Sequence, residues 1–253
     1  MTQEETLIAA FTHRYQRPPS LVVSAPGRVN LLGEHVDYND GVVLPVAIDR
    51  HVSLAVAPLD ENTLSLEALD LGQSASFLLD TLESRRDLQG RTLPNWTKYP
   101  AGIAWALKEA GLLVSGMQAA YTSSVPIGSG LSSSAAVEVA FAAAWRALGG
   151  WQVDNLRLAQ LCQRAENGFV GLASGMMDQF ASACGVEGHA LVFDTRSLDW
   201  YPICLPAGTA IVVADSGMRR SLAGSAYNDR RAACEQAVKI LSQYKPGLKS
   251  LRE

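Results

Sequence analysis

The chain has 253 residues, of which 48% are hydrophobic, 18% charged and 7% aromatic. At roughly 150 residues per domain this length predicts one large domain or two modest ones, and the composition excludes a chain that is disordered throughout. Because 21 lysines and arginines face 25 aspartates and glutamates, the net charge is −4, which argues against a bulk electrostatic grip on nucleic acid but not against binding a small anion.

Hydrophobic periodicity changes repeatedly between helical and strand-like, and this mixture predicts an α+β fold rather than a regular βαβ alternation. Asp154 is well placed to cap a helix. A shift in composition near residue 188 predicts one domain over 1–188 and a second over 189–253. In chain order the expected elements are a helix over 3–16, strands near 21–23, 42–44, 51–57 and 64–67, a helix near 103–110, a strand near 117–123, helices near 137–148 and 158–165, strands near 190–193 and 211–214, and a helix over about 226–243.

The cysteines and the amino terminus bear on the cellular compartment. The four cysteines form neither a Cys-x-x-Cys pair nor a cluster with histidines, so we expect free thiols in a reducing compartment. The first residues are acidic where a signal peptide would be basic. The longest uncharged run, 110–137, is interrupted by serine, glycine and proline and does not fit a transmembrane helix. We therefore expect a cytosolic protein that binds no membrane.

The first motif with chemical content is PIGSGLSSSAA at 126–136, which opens an Ala-rich helix. Glycines permit a tight turn close to a ligand, and the start of a helix offers an anion unpaired N–H groups and a favourable dipole. The string is not a Walker A loop, because no lysine follows the glycines, and it lacks the third glycine of a Rossmann fingerprint. It predicts a phosphate-binding loop; the alternative is a flexible turn capped by Ser132.

The second motif is APGRVNLLGEHVDYNDG at 25–41, which holds four charged or titratable groups among glycines. Carboxylates and an imidazole suit a polyhydroxylated ligand, because each sugar hydroxyl needs both a donor and an acceptor. The segment therefore predicts a sugar site, and the alternative is a solvated polar loop. The four groups are Arg28, Glu34, His35 and Asp37.

The third motif places two acidic residues on either side of a Gly-rich linker. Glu166 ends one expected helix, and Asp178 lies in the string GMMDQ near the start of the next. The two carboxylates and the linker between them make this segment a candidate for chemistry. The alternatives are that Asp178 is an ordinary helix N-cap and that Glu166 is a surface residue.

Taken together, the three motifs resemble those of the GHMP kinases, a family of small-molecule kinases, and within it the galactokinases. The Gly/Ser string matches the phosphate-loop motif of the family, and GMMDQ resembles its catalytic-aspartate motif. The segment 27–41 is similar to the galactokinase sugar-binding signature, with conservative departures at Leu32 and Val36. A fourth match is GSAYNDRR at 224–231, followed by a Cys-Glu pair. The resemblance extends from about residue 20 to the end of the chain.

The resemblance implies ATP-dependent phosphorylation of galactose to galactose 1-phosphate, with ATP and Mg²⁺ as cofactors. In this reading Asp178 is the catalytic base, Arg28 stabilises the transition state, and Ser134 and Glu166 ligate magnesium. The residues implied to bind the sugar are Glu34, His35, Val36, Asp37, Asp178 and Tyr227. Those implied to hold the ATP phosphates are Gly128, Ser129, Gly130, Leu131, Ser132, Ser133 and Ser134.

The implied fold is an N-terminal α+β domain, like the second domain of ribosomal protein S5, packed on a ferredoxin-like C-terminal domain. The family has another Gly-rich loop in its C-terminal domain, and none occurs before residue 253. We therefore expect residues 189–253 to be an incomplete domain, and the activity of this chain stays open. Two other functions also stay open: a non-catalytic sugar and nucleotide sensor of the same fold, and a kinase for N-acetylgalactosamine or another hexose.

Overall fold

The computed structural model describes residues 2–215 and 223–253, with backbone only for 223–226. Six α-helices and eight strands lie in these ranges. The helices are α1 (Gln3–Tyr15), α2 (Lys98–Glu109), α3 (Ser133–Gly149), α4 (Asn155–Ala165), α5 (Met177–Cys184) and α6 (Ala223–Leu241). The strands are β1 (Leu21–Asn30), β2 (Val42–Val43), β3 (Pro45–Leu59), β4 (Thr63–Ala68), β5 (Gln73–Leu78), β6 (Gly116–Ser123), β7 (His189–Asp194) and β8 (Trp200–Cys204).

The strands form two sheets. The larger sheet has the order β1-β3-β6-β4-β5, and all of its neighbours are antiparallel except β4 and β6, which run parallel. The smaller sheet has the order β2-β7-β8 and is antiparallel. Mixed strand pairing with flanking helices confirms the expected α+β class. The finer likeness to ribosomal protein S5 and to ferredoxin remains a prediction.

Strand β3 shows how helices can cover both faces of the larger sheet. Successive side chains of a strand point to opposite faces. Val52, Leu54 and Val56 are completely buried in the core that α2, α3 and α4 share with the sheet. Ala55 lies on the other face, in a smaller buried cluster with Leu7 of α1. Large aliphatic residues therefore face the three helices, while a small one leaves room for α1.

Most of the elements expected from periodicity are present. The helix expected over 3–16 is α1, and the last expected helix is α6, displaced by a few residues towards the amino terminus. Asp154 caps α4 as predicted, because its Oδ1 accepts the N–H of Arg157 at 2.7 Å. The strand expected at 211–214 is wrong: this segment has no regular secondary structure, and Val212 is 90% exposed. An apolar run forms a strand only beside a partner for its backbone groups, and none of the described strands pairs with this one.

Strand pairing crosses the boundary predicted near residue 188. Val43 of β2 pairs with Phe193 of β7, so a residue from the first predicted domain helps to build the sheet of the second. The division into 1–188 and 189–253 therefore remains a prediction.

All four cysteines are free, as expected, and two of them are buried.

Across residues 2–215 and 223–253, no helix combines the length and the apolar character that crossing a membrane requires.

Helix α5 is anchored between β1 and β7. Phe180 stacks on Phe193 with ring centroids 3.9 Å apart, and both rings are completely buried. On the other side, the Ser182 hydroxyl donates to the carbonyl of Pro26 in β1 at 2.7 Å. These contacts hold α5 against β1 and β7, and thereby bring the third motif beside the second.

The cap of α4 can be tested by substitution. Replacing Asp154 with alanine leaves the Arg157 N–H without its acceptor, and we expect the free energy of unfolding to fall by about 1 kcal/mol. Asp154→Asn keeps an acceptor oxygen, and it should lower the free energy of unfolding by only a few tenths of a kcal/mol. Urea denaturation followed by circular dichroism measures both variants. Equal losses in the two would show that the capping hydrogen bond contributes nothing.

Candidate active site

The end of strand β1 touches the Gly/Ser-rich loop. The N–H of Arg28 donates to the carbonyl of Leu131 at 3.1 Å. Gly27 permits this approach, because a Cβ at that position would lie 2.7 Å from the same carbonyl oxygen. The register of β1 shifts between Pro26 and Arg28, and such a bulge re-aims the side chains that follow it. The strand thereby delivers Arg28 to the loop.

Arg28 joins three elements through its guanidinium group. Its Nε and Nη2 lie 2.8 Å and 2.6 Å from Oδ1 of Asp178 at the start of α5. Its Nη1 donates to the carbonyl of Gly130 at 2.6 Å. The side chains of Arg28 and Asp178 are 13% and 31% exposed, so the pair is shielded from water but not completely buried. The sequence separates these two residues widely, and the fold brings them into direct contact.

The other oxygen of Asp178 is bonded to the loop. The Ser132 hydroxyl donates to Oδ2 of Asp178 at 2.5 Å. Ser132 precedes α3 but its side chain makes no capping hydrogen bond, so the capped-turn alternative is wrong. The N-cap alternative for Asp178 is also wrong, because Met176 holds that position and Asp178 lies inside α5. Both polar side chains are directed towards each other instead of towards the ends of their helices.

The Gly/Ser-rich loop leads into α3 in a form that suits an anion. Gly128 and Gly130 have φ of +74° and +80°, in the left-handed region that favours glycine. The first intrahelical bond runs from Ala136 to the carbonyl of Ser132. The preceding N–H groups at the start of α3 therefore lack a partner within the helix. With the Arg28 guanidinium beside them, they form a site with positive potential.

Asp37 lies beside this ion pair, against the Gly-rich linker. A Cβ at Gly175 would collide with the Asp37 carboxylate, so this close approach requires glycine. Burial, and then repulsion by Asp178, raises the pKa of Asp37 from 3.8 to about 6. The N–H of Met177 and the charge of Arg28 act in the opposite direction. The carboxylate is therefore costly to ionise in the free protein, and it lies near enough to Asp178 for the two charges to repel each other.

Three aromatic rings form a cluster that reaches the Gly-rich linker at Gly175. The ring of His35 lies 5.7 Å from those of Tyr38 and Tyr227, and these two are 5.4 Å apart. Nδ1 of His35 and the hydroxyl of Tyr38 share a hydrogen bond of 2.6 Å. The Tyr227 hydroxyl accepts the N–H of Gly175 at 3.3 Å. Helix α6 thus contributes Tyr227 to the same wall as the second motif.

Two other residues expected at the sugar site differ in their surroundings. Glu34 is exposed, and its Oε1 accepts the Asn30 side-chain N–H at 3.1 Å. The side chain of Val36 packs inside its own loop, where a Cβ on Gly41 would press against it. The carboxylate of Glu34 is accessible from solvent, whereas the Val36 carbonyl is used inside the loop, where it accepts the N–H groups of Asn39 and Gly41 at 2.9 Å and 2.8 Å.

Glu166 is buried rather than on the surface. Only 3% of the residue is exposed, so the surface alternative is wrong. Its Oε2 accepts the Ser174 hydroxyl and the side-chain N–H of Gln179, the latter at 2.8 Å. Gln179 also donates to Glu138 at 3.0 Å, and Glu138 is completely buried. Burial is the main cause that raises the pKa of Glu166 from 4.5 to about 7, and Asp178 and Asp37 add to it.

Three of these neighbours were missed from the sequence. Tyr38 lies inside the second motif, and its place three positions after His35 is the signal that could have found it. Glu138 and Gln179 lie on helices whose periodicity indicates core positions. The only sign of Glu138 was that it is the one acidic residue of an Ala-rich helix. Burial raises the pKa of Glu138 well above 4.5, as does the nearby Glu166. Neutral Glu138 would relieve the repulsion between the two carboxyl groups.

Two protein-family models and several curated proteins match this chain. The galactokinase galactose-binding signature matches residues 9–58, and the GHMP kinases N terminal domain matches residues 98–186. The galactokinase of Chloroflexus aggregans is 43% identical over 253 residues, which is 100% of this chain. The chain belongs to the GHMP kinase family, in its galactokinase branch. The galactokinase of Roseiflexus sp. is 44% identical over 243 residues, or 96% of the chain.

Solved structures agree with this membership. Lactococcus lactis galactokinase complexed with galactose aligns with a TM-score of 0.85 at 29% identity, over 99% of this chain and 64% of that one. A mevalonate kinase shares the fold, with a TM-score of 0.56 at 21% identity. The chain spans 63% and 60% of the length of the two curated galactokinases named above.

The raised pKa of Asp37 predicts a dependence of stability on pH. The folded state binds more protons than the unfolded state between pH 4 and 6, so the free energy of unfolding falls as pH rises through this window and stays lower above it. Asp37→Asn removes this penalty. We expect the variant to be more stable by about 1–3 kcal/mol at pH 8, with the gain vanishing towards pH 4.

Urea titrations at pH 4 and pH 8 measure this difference. Asp49→Asn is the matched control, since the Asp49 side chain is 90% exposed and its change should be close to zero at both values. A gain for Asp37→Asn that is the same at both pH values would contradict the electrostatic explanation.

Proposed function

We propose that this chain contains the catalytic centre of an ATP-dependent galactose kinase, which forms galactose 1-phosphate and ADP. One observation carries the proposal: the Arg28–Asp178 ion pair is bonded to the phosphate-type loop on one side and faces Asp37 and Tyr227 on the other. A kinase needs this juxtaposition of an anion site, a cation and a carboxylate beside a polyol site. The cytosolic location expected from the sequence remains a prediction.

The loop side would receive the ATP phosphates. The free N–H groups at the start of α3 would bind phosphate oxygens, as the helix dipole favours. Arg28 would stabilise charge on the transferred phosphoryl group, since its guanidinium is already oriented by Asp178 and Gly130 and needs little reorganisation. This part of the site would align the phosphate and neutralise it.

The residues present fit a magnesium ion bound together with ATP. Ser134 offers a hydroxyl at the start of α3. Glu166 offers Oε1, because its hydrogen-bond partners Ser174 and Gln179 both donate to Oε2. Hard oxygen donors of this kind suit Mg²⁺, which keeps water and phosphate oxygens as its other ligands. The ion would neutralise charge on the phosphates and orient them.

Asp178 would accept a hydrogen bond from the attacking sugar hydroxyl. Its Oδ2 has one strong donor, Ser132, and the carboxylate lies between the loop and the sugar side. Because phosphoryl transfer depends mainly on positioning and charge, its chief contribution is to orient the hydroxyl and to take its proton late in the reaction.

The sugar side would offer galactose a mixture of donors and acceptors. Asp37 and Glu34 are acceptors when ionised, and His35 can serve in either role. Burial, followed by the charge of Asp37, raises the pKa of Tyr227, so its hydroxyl stays protonated and can donate. The aromatic rings would cover an apolar face of the sugar.

The role of Asp178 is tested by Asp178→Asn. We expect galactose-dependent ADP release to fall by a factor of about 100 or more, because the variant cannot accept the proton. Galactose affinity measured by calorimetry should change little, since the amide still accepts a hydrogen bond. Near-normal turnover by Asp178→Asn would contradict the assignment.

If the wild-type chain binds both galactose and ATP but shows no turnover, this result would contradict kinase activity in this chain. That result would favour the sugar and nucleotide sensor.

The identity of the sugar is tested by substrate comparison. The matched signature is named for galactose binding in galactokinases, so we expect kcat/KM for galactose to exceed that for its 2-acetamido analogue by a factor of at least about 10. Coupled assays of ADP release with each sugar measure the ratio. A preference for the analogue would replace the proposed substrate with N-acetylgalactosamine while leaving the kinase chemistry in place.

A further inference from the structure

The hydrogen bonds of Asp178 leave one direction for a substrate. A carboxylate oxygen has about two lone-pair directions. Oδ1 accepts the Nε–H of Arg28 at 2.8 Å and lies 2.6 Å from Nη2 of the same guanidinium, so Arg28 covers this oxygen. Oδ2 accepts the hydroxyl of Ser132 at 2.5 Å, which leaves one lone pair. Ser132 thus decides, together with Arg28, in which direction the carboxylate can accept a further hydrogen bond.

Local structure does not account for the serine at this position. Ser132 has φ of +58° and ψ of +47°, in the left-handed region that glycine adopts more readily. It holds the N-cap position of α3, yet its hydroxyl makes no capping bond. Serine is therefore unfavourable for this backbone conformation and does not cap the helix. The hydrogen bond to Asp178 is the interaction that its side chain makes.

The same short stretch of loop also holds Arg28. The carbonyl of Gly130 accepts from its guanidinium at 2.6 Å, and the carbonyl of Leu131 accepts its backbone N–H at 3.1 Å. Residues 130–132 are therefore bonded to both members of the ion pair. A change in the loop on binding of a nucleotide would be transmitted directly to Asp178.

We propose that Ser132 is a positioning residue, whose hydroxyl aligns Oδ2 of Asp178 with the sugar hydroxyl and couples the phosphate loop to that carboxylate. This inference rests on the proposed kinase function and deepens it. In this inference the Ser132 hydroxyl binds Asp178, and only the Ser132 backbone contacts the phosphates. A nucleotide would then be bound without a direct bond from this hydroxyl.

The test compares Ser132→Gly with the wild-type chain. Glycine accepts the left-handed backbone at position 132, so this variant removes the hydroxyl without adding strain. We expect kcat for galactose phosphorylation to fall about 10- to 100-fold, because the carboxylate loses its alignment. The dissociation constant of ADP should stay within about threefold of the wild-type value, because no phosphate contact is lost. Ser84→Gly is the control: Ser84 is exposed, its hydroxyl donates to Thr81 within a surface turn, and its loss should leave kcat unchanged.

Two results of this comparison would overturn the inference. The first is a kcat of Ser132→Gly within about twofold of the wild-type value. The second is a loss of ADP affinity of about tenfold or more with kcat retained, since the hydroxyl would then be a phosphate ligand. Ser132→Ala separates the backbone effect: a defect in the alanine variant but not in the glycine variant would show that conformation, not the hydroxyl, matters.

A second measurement does not depend on activity. The Ser132–Asp178 contact is present in the free protein, so a double-mutant cycle with Ser132→Gly and Asp178→Ala can be read from urea unfolding. We expect the shifts in the unfolding midpoint to be non-additive, and additive shifts would overturn the contact. If wild-type chain shows no turnover but the cycle is non-additive, the proposed function fails while the coupling of the two side chains is supported.

Discussion

The contact between Arg28 and Asp178 is the interaction on which the site depends. Oppositely charged groups that are partly withdrawn from water attract more strongly than on a surface, and removing one partner leaves the other uncompensated. Here the pair also ties strand β1 to helix α5, and the guanidinium holds the loop through Gly130. The packing of Phe180 on Phe193 keeps α5 in place for this contact. An ion pair, a loop and a helix are therefore positioned as one unit.

Around this pair the site accumulates carboxyl groups that repel one another. The pKa values of Asp37 and Glu166 are raised to about 6 and about 7, and in both cases burial is the first cause and Asp178 contributes. Such an arrangement lowers the stability of the free protein at neutral pH, which is common where binding or catalysis requires unfavourable charge. A sugar with many hydroxyls and a divalent cation are ligands that would relieve it. The same cluster of carboxyl groups thus lowers the stability of the free protein and serves the proposed function.

The comparisons confirm the family that the sequence motifs indicated, but one expected strand was wrong. The expected strand at 211–214 failed because an apolar run shows what a segment can bury and not whether another strand lies beside it. The sequence left open the alternative that Asp178 is a helix cap, since acidic residues near helix starts usually are. Its partner Ser132 lies far away in the chain, and no spacing rule connects them. It also left open the alternative that Glu166 is a surface residue, because burial of a charge depends on the neighbours that surround it.

The sequence by itself determined the α+β class and the helix cap at Asp154, and it predicted a phosphate-type loop and a set of polar residues that suit a sugar. These features depend on periodicity and on short-range hydrogen bonds, which neighbouring residues fix among themselves. Only the tertiary structure decided that Arg28 meets Asp178, that the Ser132 hydroxyl serves a carboxylate, and that Glu166 is buried beside Gln179. Those contacts join segments that are distant in the chain, and their existence depends on how sheets and helices pack.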